Sequence, residues 1–96
     1  MTSHPTGRDK LYWLINLYLE DHHDIRTFCK EFERAYNFEV EKRDLSAREQ
    51  VVFESLFRKV VMFSPFEDEL KTIPMYVSVS EIKDAAIAAR DSLRVQ

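Results

Sequence analysis

The sequence holds one glycine, three prolines and one cysteine in 96 residues. So small a supply of turn-forming residues excludes the many tight reversals of a β-sandwich or barrel, and favours a few long helices. A lone cysteine, Cys29, excludes an intrachain disulfide and an all-cysteine metal cluster, and it fits a reducing, cytoplasmic setting. No run approaches the roughly 18 apolar residues of a membrane span, and the N-terminal residues lack the apolar stretch of a signal peptide. No membrane partner is expected. Basic excess is missing too, since the formal net charge is −3. A phosphate backbone is bound by lysines and arginines gathered on one face, so direct nucleic-acid binding is not expected.

What is present is hydrophobic periodicity, with 45% hydrophobic residues. The chain reads as one all-α domain over residues 1–96, with a polar, flexible segment 1–7. Leu11, Leu14, Ile15 and Tyr18 recur at steps of three and four, giving a first helix from about Arg8 to Glu20. Trp13 and Leu17 widen its apolar face. Asp24 is a candidate N-cap for a second helix, which carries Ile25, Phe28, Cys29, Phe32 and Tyr36 along one stripe. Ser46 followed three residues on by Glu49 is a capping box, so a third helix starts there and runs through Val52, Phe53, Leu56, Val60 and Phe63 until Pro65 stops it. Ser80 is read as the cap of a fourth, with Ile82, Ala85, Ala86, Ala89 and Leu93 on a narrow face of small residues. Short connections after the first two helices favour antiparallel neighbours, and the expected architecture is an antiparallel four-helix bundle. Tyr76, Val77 and Val79 form at most a short extended piece with no evident partner strand.

Catalytic patterns are scarce. His22 and His23, with Glu20, Asp21 and Asp24, have residue types that suit a transition metal but no ligand spacing, so no metal or cofactor is expected. Cys29 lies on the apolar stripe between Phe28 and Phe32, where a thiol acts as a small hydrophobe rather than a nucleophile. No nucleophile elbow, phosphate-binding loop or zinc-protease pattern occurs, so the chain is not read as an enzyme. The aromatics at helical spacing read as core, with Trp13 as the one ring that could face a partner.

The segment with the clearest functional content is Phe63 to Pro74, FSPFEDELKTIP. It sets Glu67, Asp68 and Glu69 beside Phe66, within a frame of Phe63, Pro65 and Pro74, in a long acidic loop between helices three and four. Loops longer than a bundle requires are commonly functional, and carboxylates displayed in one suit a basic partner. Glu41 and Asp44, with Glu39, form a second acidic set before helix three, diluted by Lys42 and Arg43.

Three stretches together, Ile25 to Tyr36 as I-x-x-F-x-x-x-F-x-x-x-Y, the helix start at Asp44-Leu45-Ser46, and F-S-P-F-E-D-E-L-K from Phe63 to Lys71, resemble the colicin D immunity type of domain. That type includes immunity proteins of contact-dependent growth inhibition in bacterial competition. The resemblance extends over about Leu11 to Leu93. It implies a four-helix antiparallel bundle that binds a cognate toxin nuclease domain, often one that cleaves tRNA, as a monomer in a 1:1 complex. The acidic surface would block a basic active site, with Asp68 in its F-x-P-x-x-D frame as the leading residue and Glu67 and Glu69 beside it. Members can carry a carboxylate in the last turn before the loop phenylalanine, whereas Val60, Val61 and Met62 stand here. The other reading of the chain is a small helical adaptor or regulatory module that self-associates through exposed aromatics.

Overall fold

The computed structural model describes residues 6–64, 67–72 and 76–94, so only Thr6 and Gly7 of the segment expected to be flexible fall within it. Helix α1 spans Arg8–Leu19 and starts from Gly7, whose φ of 59° lies in the left-handed region that glycine enters without steric cost. Its far end closes as a Schellman turn. The Asp21 amide donates to Tyr18 O and the His22 amide to Leu17 O, at 3.2 and 2.8 Å. Asp21 takes the left-handed position at φ 63°, a place held more often by glycine or asparagine.

Helix α2, Ile25–Arg34, is capped as expected, with the Asp24 carboxylate accepting from the Thr27 amide at 2.7 Å. Beyond it the chain widens into a π-helical turn, Ala35–Glu39. An uninterrupted α-helix would bring Glu39, seven residues past Phe32, back onto the buried stripe. The wider turn instead leaves Glu39 exposed, where its carboxylate accepts from Lys10 Nζ at 2.9 Å. A 3-10 turn at Lys42–Asp44 leads to α3, Ala47–Val61, which opens on both halves of the Ser46–Glu49 capping box.

The next connection differs from the expected loop. Residues Glu67–Thr72 form a short helix, α4, so the acidic tripeptide opens a helical turn. The local chemistry favours this: Glu, Leu and Lys are good helix formers, and carboxylates in a first turn complement the helix dipole. The described residues thus contain five α-helices rather than four. The last, α5, spans Val79–Arg94, and its cap is Ser78 in place of Ser80. The Ser78 hydroxyl accepts from the Glu81 amide at 3.3 Å, and the Ile82 amide donates to Ser78 O at 3.1 Å.

Helices α1 and α3 each pack on both α2 and α5, with the α3–α5 contact the most extensive. Ala86 and Ala89 are buried on α5, and small side chains allow that approach. Phe28, Phe32 and Phe53 are fully buried at the centre, each contributing about 1.5–3 kcal/mol by burial. Tyr18 stacks on Phe28 with centroids 4.6 Å apart, and Tyr12 meets Phe53 edge-on at 5.3 Å. Among the described residues, no helix is long and apolar enough to cross a membrane.

Candidate functional site

The acidic connection is anchored at its base. Phe63 pairs with Val77 in an isolated parallel bridge, in which the Val77 amide donates to Met62 O at 2.8 Å and the Ser64 amide to Val77 O at 3.0 Å. The extended piece around Val77 therefore has a partner, which lies fourteen residues earlier in the sequence and belongs to no strand. Val77 and Ser64 are buried, and Met62 and Phe63 pack against the core. Both ends of the excursion that carries α4 are held at one point beside the C-terminus of α3. Phe63, expected on the last turn of helix three, instead lies two residues past the end of α3 and forms this bridge. Pro65, Phe66 and Pro74 lie outside the described residues, as do the side chains of Glu67, Asp68 and Glu69.

The second acidic set stands at the opposite end of α3. Glu41 and Asp44 are both exposed and bracket the 3-10 turn, where the Asp44 amide donates to Glu41 O at 2.9 Å. Fifteen residues of helix separate this turn from Met62, which at 1.5 Å per residue is about 22 Å. The bases of the two sets therefore stand at opposite ends of α3. The second set is not strongly negative, since Glu39 pairs with Lys10 at 2.9 Å and Glu41 lies 3.7 Å from Arg43. Lys42 sits over the Tyr36 ring, 4.5 Å from its centroid.

The histidines split in role. His22 Nε2 lies 3.8 Å from Glu20, whereas the half-buried His23 meets Trp13 edge-on, with centroids 6.4 Å apart. Among the described residues, no group of three or more metal-ligating side chains converges. Trp13 is half-buried and packs against the core. Cys29 is buried, and burial, with Glu33 nearby, pushes its thiol up to about 12. At neutral pH the thiolate that a nucleophile needs is scarcely formed.

Two residues escaped sequence reasoning. Glu49, read only as half of a capping box, is 4% exposed and sits in a polar knot between α1 and α3. Its Oε2 accepts a short hydrogen bond from the Tyr12 hydroxyl, its Oε1 accepts from the Ser46 amide at 2.8 Å, and Arg8 Nη1 lies 3.8 Å away. Burial alone would raise its pKa, but the bonds from Tyr12 and Ser46 and the charge of Arg8 outweigh it and hold the carboxyl below its ordinary value. Burial and the same bond push Tyr12 up to about 12. No local pattern could have found this, because Tyr12 and Glu49 are 37 residues apart. The other is Phe38, 83% exposed on the π-helical turn and beside no catalytic pattern. Comparison with family models, curated proteins and solved structures finds no match for this chain.

Proposed function

We propose that this chain is an immunity-type binding protein that neutralises a basic toxin nuclease domain by covering its active site with the acidic segment between α3 and α5. The single observation that carries the reading is the parallel bridge between Phe63 and Val77. A solvated charge run needs no such anchoring. Here three carboxylates against one lysine open a helix whose excursion is pinned at both ends to a buried valine. Anchoring the two ends of a binding segment lowers the ordering cost of binding, and complementary potential speeds encounter with a basic site. In this reading the four longer helices form an antiparallel bundle. The pairwise contacts α1–α2, α2–α3, α3–α5 and α5–α1 close a ring, which is what such a bundle needs. Binding is 1:1 and in the cytoplasm, and Glu41 and Asp44 form a rim contact subordinate to α4.

The test is binding of the full chain to a tRNA-cleaving nuclease domain of the colicin D type and to any toxin domain that a neighbouring gene encodes. The triple variant E67K/D68K/E69K should slow association by at least about tenfold and lose most of its salt dependence. Unchanged affinity and on-rate in that variant would remove α4 from the mechanism. A second reading, self-association as an adaptor, draws on the exposed Phe38 rather than on Trp13. Concentration-dependent sedimentation that Phe38→Ser abolishes, with no toxin bound, would favour it.

A further inference from the structure

A cleft of about 140 Å³ opens between α1 and α5. Its lining has three kinds of chemistry. Ile15 and Leu93, both buried, give an apolar floor, and the Tyr12 ring gives an aromatic wall. Asn16, Arg90 and Arg94 supply polar groups from the two facing helices. Arg90 and Arg94 are one helical turn apart, so their side chains project from the same face of α5. Nε of Arg90 donates to Asp91 at 3.3 Å, and the Arg94 guanidinium and Asn16 amide have no side-chain partner among the described residues. The Tyr12 hydroxyl is already committed to Glu49, which fixes the ring as a wall. Both arginines lie near the C-terminus of α5, where the helix dipole favours cations.

We propose that this cleft binds a small carboxylate carried on a single ring-sized apolar body, with the ring on Ile15, Leu93 and Tyr12 and the carboxylate on Arg90 and Arg94. The size fits: an engineered apolar cavity of about 150 Å³ holds benzene. The charge fits as well, since guanidinium groups match a carboxylate with parallel N–H donors and Asn16 can add one more. An apolar floor with a few convergent polar groups is the usual form of a small-ligand site. The site is independent of the toxin-binding reading, because α4 and the turn before α3 contribute nothing to its lining.

The experiment titrates the full chain with benzoate and with its neutral isostere benzamide, following the amide signals of Tyr12, Ile15, Asn16 and Leu93 by two-dimensional NMR. Benzoate should shift these signals with millimolar affinity and bind at least about tenfold tighter than benzamide. The double variant R90Q/R94Q should erase that preference while its remaining spectrum shows the fold intact. Asn16→Leu, at an exposed position, should weaken benzoate by a smaller factor and serves as the variant that cannot unfold the chain. N-acetylphenylalanine, compared with its amide, tests a peptide C-terminus as the source. Tighter binding than benzoate assigns the site to a chain end, and weaker binding assigns it to a free acid. Equal binding of benzoate and benzamide, no shift at these residues, or a preference that survives R90Q/R94Q would overturn the proposal.

Discussion

The same four-residue pattern, serine followed three residues later by glutamate, opens both α3 and α5, and the two copies have different fates. At Ser46–Glu49 the glutamate turns inward, accepts from the Ser46 amide and the Tyr12 hydroxyl, and is 4% exposed. At Ser78–Glu81 the glutamate stays exposed, and among the described residues its carboxylate accepts from the Ser78 hydroxyl alone, at 3.2 Å. The local cap is common to both, because each serine oxygen accepts from the N3 amide, at 3.1 and 3.3 Å. What differs is the neighbour. Helix α1 brings Tyr12 and Arg8 over the start of α3, so a residue that could have remained a surface cap becomes a buried tie between helices.

The largest expected difference is therefore between the glutamates. Glu49→Ala leaves the half-buried Tyr12 hydroxyl and the Ser46 amide without their acceptor and should cost about 2–3 kcal/mol. In a chain of this size that lowers the thermal midpoint by more than about 8 °C. Glu81→Ala should fall within about 0.5 kcal/mol of the parent. Equal losses in urea or thermal unfolding would mean that both glutamates act only as caps.

That contrast also marks how far the sequence is legible. Caps and stripes are local, so Asp24, the Ser46–Glu49 box and the buried Phe28, Phe32 and Tyr36 could be named from spacing alone. Ser78 carries the same signal as Ser46, whereas Ser80, the expected cap, has no glutamate three residues on. The remaining features depend on distant partners. Val77 acquires a bridge only because the end of α3 lies beside it, and Glu49 is buried only because α1 covers it. The proline-framed acidic stretch reads as a loop because Pro65 and Pro74 break helices, yet the residues between them are good helix formers and Glu67–Thr72 is helical. Helix three is legible except at its end: spacing carries its stripe on to Phe63, whereas α3 stops at Val61 and Phe63 forms the bridge to Val77.

A smaller effect, and a sharper one, is the pH dependence of the buried tie. Glu49 has a folded pKa below its ordinary 4.5, so its contribution is complete above that value and is lost as pH falls through the folded pKa. Tyr12 moves the other way. Its folded pKa of about 12 exceeds the ordinary 10, so its contribution is complete below pH 10 and disappears as pH rises toward 12. Tyr18 and Tyr36 are raised as well, again mainly by burial, so the wild-type curve alone does not isolate Tyr12. The difference between wild type and Tyr12→Phe does. That difference should be flat near neutrality at about 1–2 kcal/mol and shrink above pH 10. Asp24 is lowered too, first by its bond from Thr27, so Glu49→Gln should remove only the part of the acid-side loss that belongs to Glu49. An alkaline limb identical in wild type and Tyr12→Phe would show that the hydroxyl is not tied to Glu49 in solution.

The smallest expected difference lies between the serines. Ser46→Ala and Ser78→Ala each remove one acceptor for an N3 amide and should each cost about 1 kcal/mol. Ser46→Ala keeps the backbone amide that donates to Glu49, so the tie to Tyr12 and Arg8 survives it. Serine losses should thus match where glutamate losses do not. Urea unfolding of the two serine variants beside the two glutamate variants provides the comparison. If Ser46→Ala costs as much as Glu49→Ala, the box acts as one unit, and the burial of Glu49 depends on the cap rather than on α1. If only the glutamates differ, the cap belongs to the local chain and the tie belongs to the packing of α1 on α3, which is the distinction that the two copies of the pattern imply.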